Sequence, residues 1–275
     1  MHAFGRWSVR LLVWSLVLGH AAAGEPIENR PRSYVIPIMK APVLDGAIGA
    51  DEWPTLSISR FIESAVPTQP MTPSTVLQAR DGGVLLGSDG ATLFIAYRSS
   101  VHPQYGPIFN GKRDPEKEAV RIGHDDSVEM WFDPAPDAPD SVSVQILGNW
   151  KGDTTAAFIP RGTAQNTRQW PLPGFHQAHG VTNGAWVAEY AIPLSSFGVT
   201  DTTKPFGVRL CRNFCAPWNQ SRWEWGTTAF NDPATMCRII VNPAAPIVRE
   251  TGFYDAAGMR LGLDVTNATA QPVSY

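Results

Sequence analysis

The chain has little helical periodicity, few cysteines and little net charge, and each shortage excludes something. Across its 275 residues, apolar residues do not recur at three- and four-residue spacing over long windows, so an amphipathic helix bundle is excluded. The formal net charge is −3 and no basic block stands out, so nucleic acid is not an expected partner. Three cysteines, Cys211, Cys215 and Cys237, have no histidine cluster with which to complete the roughly four ligands of a zinc site. Cys211 and Cys215 lie in one expected strand, "GVRLCRNFC". Four residues of strand span about 13 Å, beyond the ~7 Å between bridged Cα atoms, so Cys237 is left to pair with either. No Ser-His-Asp or G-x-S-x-G hydrolase signature is present.

One apolar run stands at the start. Arg6 and Arg10 precede "LLVWSLVLG" (11–19), and "HAAAG" places an Ala-x-Ala pattern at Ala21–Ala23. This reads as a signal peptide over 1–23, with the mature chain beginning near Gly24, secreted or periplasmic. The run is shorter than the ~20 residues that span a bilayer, and no later segment is long and apolar enough, so no membrane span is expected in the mature chain. Residues 24–37 read as a leader.

What the chain has is 43% hydrophobic residues, 24 Pro and 24 Gly. That composition suits a packed core cut into short pieces. Runs such as "SYVIPIM", "ATLFIAYR", "DSVEMWFD", "SVSVQILG", "TTAAFIP", "GAWVAEYAIP", "FGVRLCRNF" and "MCRIIVN" alternate with turn residues. Many short strands between turn signals predict an all-β fold, an antiparallel β-sandwich or barrel. A short helix or turn is expected at 49–53 and another at 193–198. Long loops fall at 102–117 and about 160–176. A single sandwich is assigned to 38–242. Residues 243–275 form a C-terminal extension, read either as added strands or as the start of a second β-domain.

The densest acidic stretch is "HDDSVEMWFDP", 124–134. As a strand over 127–133, Val128, Met130 and Phe132 share one face, and Ser127, Glu129, Trp131 and Asp133 the other. A glycosidase needs two carboxylates about 5–9.5 Å apart on one bond. The same-face pair Glu129 and Asp133 is about 13 Å apart, so no enzyme is expected. Asp125 and Asp126 are the oxygen ligands a structural Ca²⁺ would take; their alternative role is to cap the turn at the strand entrance. Glu129 and Trp131 are expected on a solvent-facing surface, where an indole stacks on a sugar ring and a carboxylate accepts its hydroxyls. Gln145 is grouped with them. The alternative is that Trp131 packs beneath a loop.

These motifs, in this order, resemble the family 9 carbohydrate-binding modules over roughly 38–242. "APVLDGAIGADEW" looks like the family's opening, "DDSVEMWFDP" like its Asp-x-Val-Glu strand, "GAWVAEYAIPLSSFG" like its Trp-x-x-Glu-x-x-Ile-Pro segment, and "FNDPATMCRIIV" like a closing strand. The resemblance implies an immunoglobulin-like β-sandwich and a non-catalytic role, binding a polysaccharide or oligosaccharide. It makes Glu129 the sugar-bonding acid. It places the family's two clamping Trp rings near Gly123, which has no ring, and at Phe230. Trp131, Tyr105 or Phe109 would supply a replacement surface. Calcium that braces loops is also implied. Two alternatives stand: a structural or adhesion module without a sugar ligand, and a haem-binding relative, for which Met130, Met236 and His124 are the residue types and no pair is fixed by position. Glu189 or Glu129 is expected to pair with Arg209 or Arg212, because a buried charge needs a partner. Trp150, Trp170, Trp186, Trp223 and Trp225 are expected as core or loop anchors.

Overall fold

Alternation of apolar and polar residues sorts this chain into two sheets. In the computed structural model the described residues are 33–49, 52–53, 56–58, 61–63, 82–101, 106–109, 122–162, 167–168, 172–182, 184–215, 218–223, 232–244, 247–250, 253–255, 258–260 and 263–266. The first strands are β1 (Ser33–Ile36), β2 (Leu56–Ile58), β3 (Phe61–Glu63), β4 (Gly82–Ser88), β5 (Thr92–Ser100) and β6 (Ser127–Asp133). There follow β7 (Val142–Asn149), β8 (Thr154–Pro160), β9 (Thr167–Arg168), β10 (His176–Thr182), β11 (Ala185–Pro193) and β12 (Phe206–Cys215). The last are β13 (Trp218–Trp223), β14 (Cys237–Val241), β15 (Ile247–Glu250), β16 (Phe253–Asp255), β17 (Gly258–Arg260) and β18 (Leu263–Thr266).

A nine-stranded sheet runs β1-β14-β12-β6-β7-β8-β9, with β13 and β3 continuing from β12. A five-stranded sheet runs β10-β11-β5-β4-β2. Pairing is antiparallel throughout both, save that β1 joins β14 in parallel. The expected antiparallel β-sandwich is therefore the fold, and the first strand adds one parallel edge. The core lies between the sheets. Val128, Met130 and Phe132 of β6 and Val208 and Leu210 of β12 face Leu93, Ile95 and Tyr97 of β5 and Ala188, Tyr190 and Ile192 of β11. Burying such a side chain contributes about 1.5–3 kcal/mol, and this layer is what makes the two sheets one unit. The short helix or turn expected at 193–198 is a 3₁₀ helix, Leu194–Phe197, closed by Gly198 at φ 85°.

A second apolar cluster sits on the outer side of the smaller sheet. Met39 and Trp53 pack on Phe94, Ala96 and Ala191, so the N-terminal segment crosses that face. Strand β10 was not foreseen. "HQAHGVT" has no apolar alternation, and it is an edge strand with an intermediate-to-exposed pattern. In the C-terminal extension β15 pairs with β18 and β16 with β17.

Cys237 lies opposite Val208 in the β12–β14 ladder and packs in the core. Cys211 lies three residues beyond Val208 and so points to the other side of the sheet. Of the two partners left open for Cys237, Cys211 is ruled out: the two face opposite ways and both are free thiols. The side chain of Cys215 is outside the described residues.

Candidate functional site

Strand β6 lies mid-sheet between β12 and β7. Its register sets Glu129 opposite Cys211 and Leu147, and Trp131 opposite Arg209 and Gln145. Alternation then gathers Ser127, Glu129, Trp131, Gln145, Arg209 and Asn213 on the sheet's outer face, away from the core. The apolar set Val128, Met130 and Phe132 is wholly buried on the inner face, as its spacing implies.

On the outer face three N–H side chains from three strands converge on one carboxyl. The Trp131 indole Nε1 donates to Glu129 Oε1 at 2.6 Å. Gln145 Nε2 donates to the same oxygen at 2.8 Å. Asn213 is the third donor to this carboxyl, and its Nδ2 also donates to Ser127 Oγ at 3.3 Å. Burial pushes the Glu129 carboxyl above the usual carboxylate range, and the bonds from Gln145, Trp131 and Asn213 pull it back down.

The expected open platform is corrected here. Glu129 is 8% exposed and Trp131 4%. The Trp131 indole is tied to its own strand through its N–H and is covered rather than standing free in solvent. Tyr105 and Phe230 lie outside the described residues. Phe109 is half-buried. Lys151 Nζ is 4.2 Å from the Trp150 ring centroid and 6.0 Å from that of Phe109. Gly123 is half-buried and His124 exposed, on the loop leading into β6.

Asp125 and Asp126 are buried and serve the loop. Asp125 Oδ2 accepts from Asn149 Nδ2 at 2.8 Å. Asp126 Oδ2 accepts from the Ile108 N–H at 3.1 Å, while the Asp126 N–H donates to the Ile108 carbonyl. Trp150 Nε1 donates to that same carbonyl at 3.2 Å, which makes it a loop anchor as expected. Among the described residues no three His, Cys, Asp or Glu side chains gather as a metal site. Asp133 is wholly buried and accepts from Ser141 Oγ and Ser143 Oγ, each at 2.9 Å, fastening the β6–β7 turn.

Among the described residues no ion pair joins Glu129 or Glu189 to Arg209 or Arg212, the pairing that was expected. Glu189 Oε2 accepts from the Asp45 and Gly46 N–H groups at 3.0 and 2.7 Å, and Oε1 from the Trp53 indole at 3.0 Å. Arg209 donates to the Thr235 carbonyl and to Thr235 Oγ1. Arg212 points between the sheets and donates to Ser99 Oγ at 3.2 Å. Backbone N–H groups and an indole satisfy a buried carboxylate as well as a guanidinium can, without burying a second charge. The remaining part of the site that sequence reasoning missed is Asn213. Its place follows from pairing with Ser127 across β6 and β12, which strand composition alone does not reveal.

The chain is a mostly antiparallel two-sheet sandwich with a hydrogen-bonded carboxyl on the outer face of its larger sheet. No protein-family profile matches the chain, and no curated protein matches it. Solved structures do. A family 9 carbohydrate-binding module of Caldicellulosiruptor kristjanssonii in complex with glucose superposes at TM-score 0.54 with 14% identity, over 78% of this chain and 97% of that one. The same organism's family 9 module in complex with cellotriose gives 0.52 and 14%, over 78% and 95%. A candidate carbohydrate-binding protein of Bacteroides uniformis gives 0.58 and 12%, over 77% and 100%. The chain has the fold of the family 9 carbohydrate-binding modules. Among the described residues no helix is long and apolar enough to cross a membrane.

Proposed function

We propose that this protein is a non-catalytic carbohydrate-binding domain of an exported protein, holding glycan hydroxyls against Glu129 on the outer face of the larger sheet. The observation that carries this reading is the Glu129 carboxyl gripped by Trp131, Gln145 and Asn213. A carboxyl so oriented on a β-sandwich is a fixed acceptor for O–H donors. The solved neighbours complexed with glucose and cellotriose share the fold. Phe230, Tyr105 and the half-buried Phe109 are the aromatic residues proposed to meet a sugar ring, and the sequence of residues 1–23 supports export. Structural calcium remains part of the proposal through Asp125 and Asp126.

The test is binding of the chain from Gly24 to a panel of oligosaccharides and insoluble polysaccharides, with calcium and with chelator. We expect weak binding to a neutral glycan, with Kd near ~1 mM, equivalent to about −4.1 kcal/mol, and its loss in Glu129→Ala. No binding to any member of the panel overturns the reading. A second reading, a structural module without a sugar ligand, is favoured by one observation: the indole nearest the acid is buried. It requires the panel to be silent.

A further inference from the structure

We propose that Thr154 and Gln177 form a covalent ester that ties the two sheets together, made by the chain itself after folding. The inference goes beyond glycan binding and does not depend on it. Thr154 lies on β8 of the larger sheet and Gln177 on β10 of the smaller one. A bond between them would close the sandwich along that side and fix β10, which is an edge strand. The Thr154 hydroxyl donates to Gln177 Oε1 at 2.6 Å. Thr154 is 5% exposed, so water competes little for that contact.

The Gln177 amide is held in one orientation. Its Nε2 donates to the Gly152 carbonyl at 2.6 Å, a bond that only the nitrogen can make. Oε1 therefore faces the hydroxyl, and it also meets His179 Nε2 at 3.2 Å. The Trp186 indole donates to Nδ1 of that imidazole, which leaves the ring proton on Nε2, directed at Oε1. Two donors on one carbonyl oxygen polarise the carbonyl and receive the charge that develops when its carbon is attacked. With a C=O bond of ~1.23 Å, a hydroxyl 2.6 Å from Oε1 lies within about 3.8 Å of the amide carbon. A near-attack contact is about 3–3.5 Å.

The step balances without a co-reactant. Thr154 Oγ1 bonds to Gln177 Cδ and the Cδ–Nε2 bond breaks. The hydroxyl proton passes by way of Oε1 to the nitrogen, which leaves as ammonia. Nothing is oxidised or reduced. A hydroxyl is a weak nucleophile, so the reaction is slow and happens once per chain, drawn forward by loss of ammonia to solvent.

The test is the mass and digest of the folded protein. We expect a mass ~17 Da below that of the sequence, one ammonia. The tryptic peptide 152–161 should be joined to the peptide that carries Gln177, and hydroxylamine should separate them. A succinimide at Asn183-Gly184 would lose the same mass, so the joined peptide is the deciding readout. Thr154→Val keeps the shape and removes the nucleophile, and should give separate peptides. His179→Phe removes one donor to Oε1 and should form the link at least about tenfold more slowly. Separate peptides from wild type after prolonged incubation at neutral pH overturn the proposal, as does deamidation of Gln177 without a link or a linked peptide in Thr154→Val. Equal rates in wild type and His179→Phe overturn the role of the imidazole. If Thr154→Val does not fold, the wild-type digest decides alone.

Discussion

Trp53 and Glu189 meet across 136 residues of chain, indole N–H to carboxylate oxygen at 3.0 Å. With the Asp45 and Gly46 N–H groups on its other oxygen, Glu189 locks the N-terminal segment onto the smaller sheet. Burial raises this carboxyl above its ordinary range, against the lowering effect of the Gly46, Trp53 and Asp45 donors.

Removing that acceptor should release the segment. Glu189→Ala leaves two backbone donors and an indole unsatisfied on a buried face, which costs on the order of 3 kcal/mol. We expect a lower denaturant midpoint and faster tryptic cleavage at Lys40. A midpoint equal to wild type would show that Met39 and Trp53 packing alone holds the segment.

Gly46 is required where it stands. Its φ is +83°, and an added Cβ would lie 2.6 Å from the carbonyl carbon and oxygen of His179. Backbone cannot yield as a side chain does, so Gly46→Ala should cost at least about 2 kcal/mol. Gly184, at φ +72° with open space around it, isolates the backbone contribution. Gly184→Ala should cost only ~1 kcal/mol. Equal losses in the two variants, by chemical denaturation, would remove the steric argument.

The Tyr190 hydroxyl is buried without a hydrogen-bond partner, and the missing side chain of Gly148 makes room for it. A Cβ at Gly148 would lie 2.7 Å from that oxygen. Tyr190→Phe should therefore be neutral or stabilise by up to ~1 kcal/mol. Gly148→Ala should cost about 1–3 kcal/mol by overpacking, and much less in the Tyr190→Phe background, where the nearest remaining atoms are at 3.5 Å. An additive double mutant would place the Gly148 requirement elsewhere.

Local alternation and non-local pairing divide what was legible in this sequence. The faces of β6 followed from a period of two, and Val128, Met130 and Phe132 are in the core. Glu129 and Gln145 were singled out together and touch. The same alternation does not say whether a polar face is covered, so Trp131 was expected in solvent and instead donates to its neighbour. Glu189 was recognised as a buried acid, but its partners come from a loop more than 130 positions away. Asn213 was missed because its role depends on which strand lies beside β12. Edge strand β10 was missed because an edge needs little apolar pattern.

His179 gives the fold a pH dependence of definite sign. Its ring is flanked by Trp186 and Tyr190, accepts from Trp186 Nε1 at Nδ1 (3.4 Å) and meets Gln177 Oε1 at Nε2 (3.2 Å). Thr154 Oγ1 also bonds Gln177 Oε1, at 2.6 Å, and Gln177 Nε2 donates to the Gly152 carbonyl. Because Nδ1 accepts, the ring is neutral and donates from Nε2. Burial lowers its pKa from 6.5 to about 4. In that window the unfolded chain binds the proton more readily than the folded one, so stability present above pH 6.5 is lost as pH falls toward 4, by at most about 3 kcal/mol. The raised carboxyls Glu129 and Glu189 act oppositely, since the folded state holds their protons more tightly and gains stability on acidification. The measurement is therefore a difference between two unfolding series from pH 7 to pH 4, wild type against His179→Phe. The carboxyl contributions cancel, and the stability of wild type minus that of His179→Phe should fall steadily with acid as the wild type loses the stability of its neutral imidazole. A gap that stays constant would mean the folded protein takes up the proton as readily as the unfolded chain, and would remove His179 from the pH response.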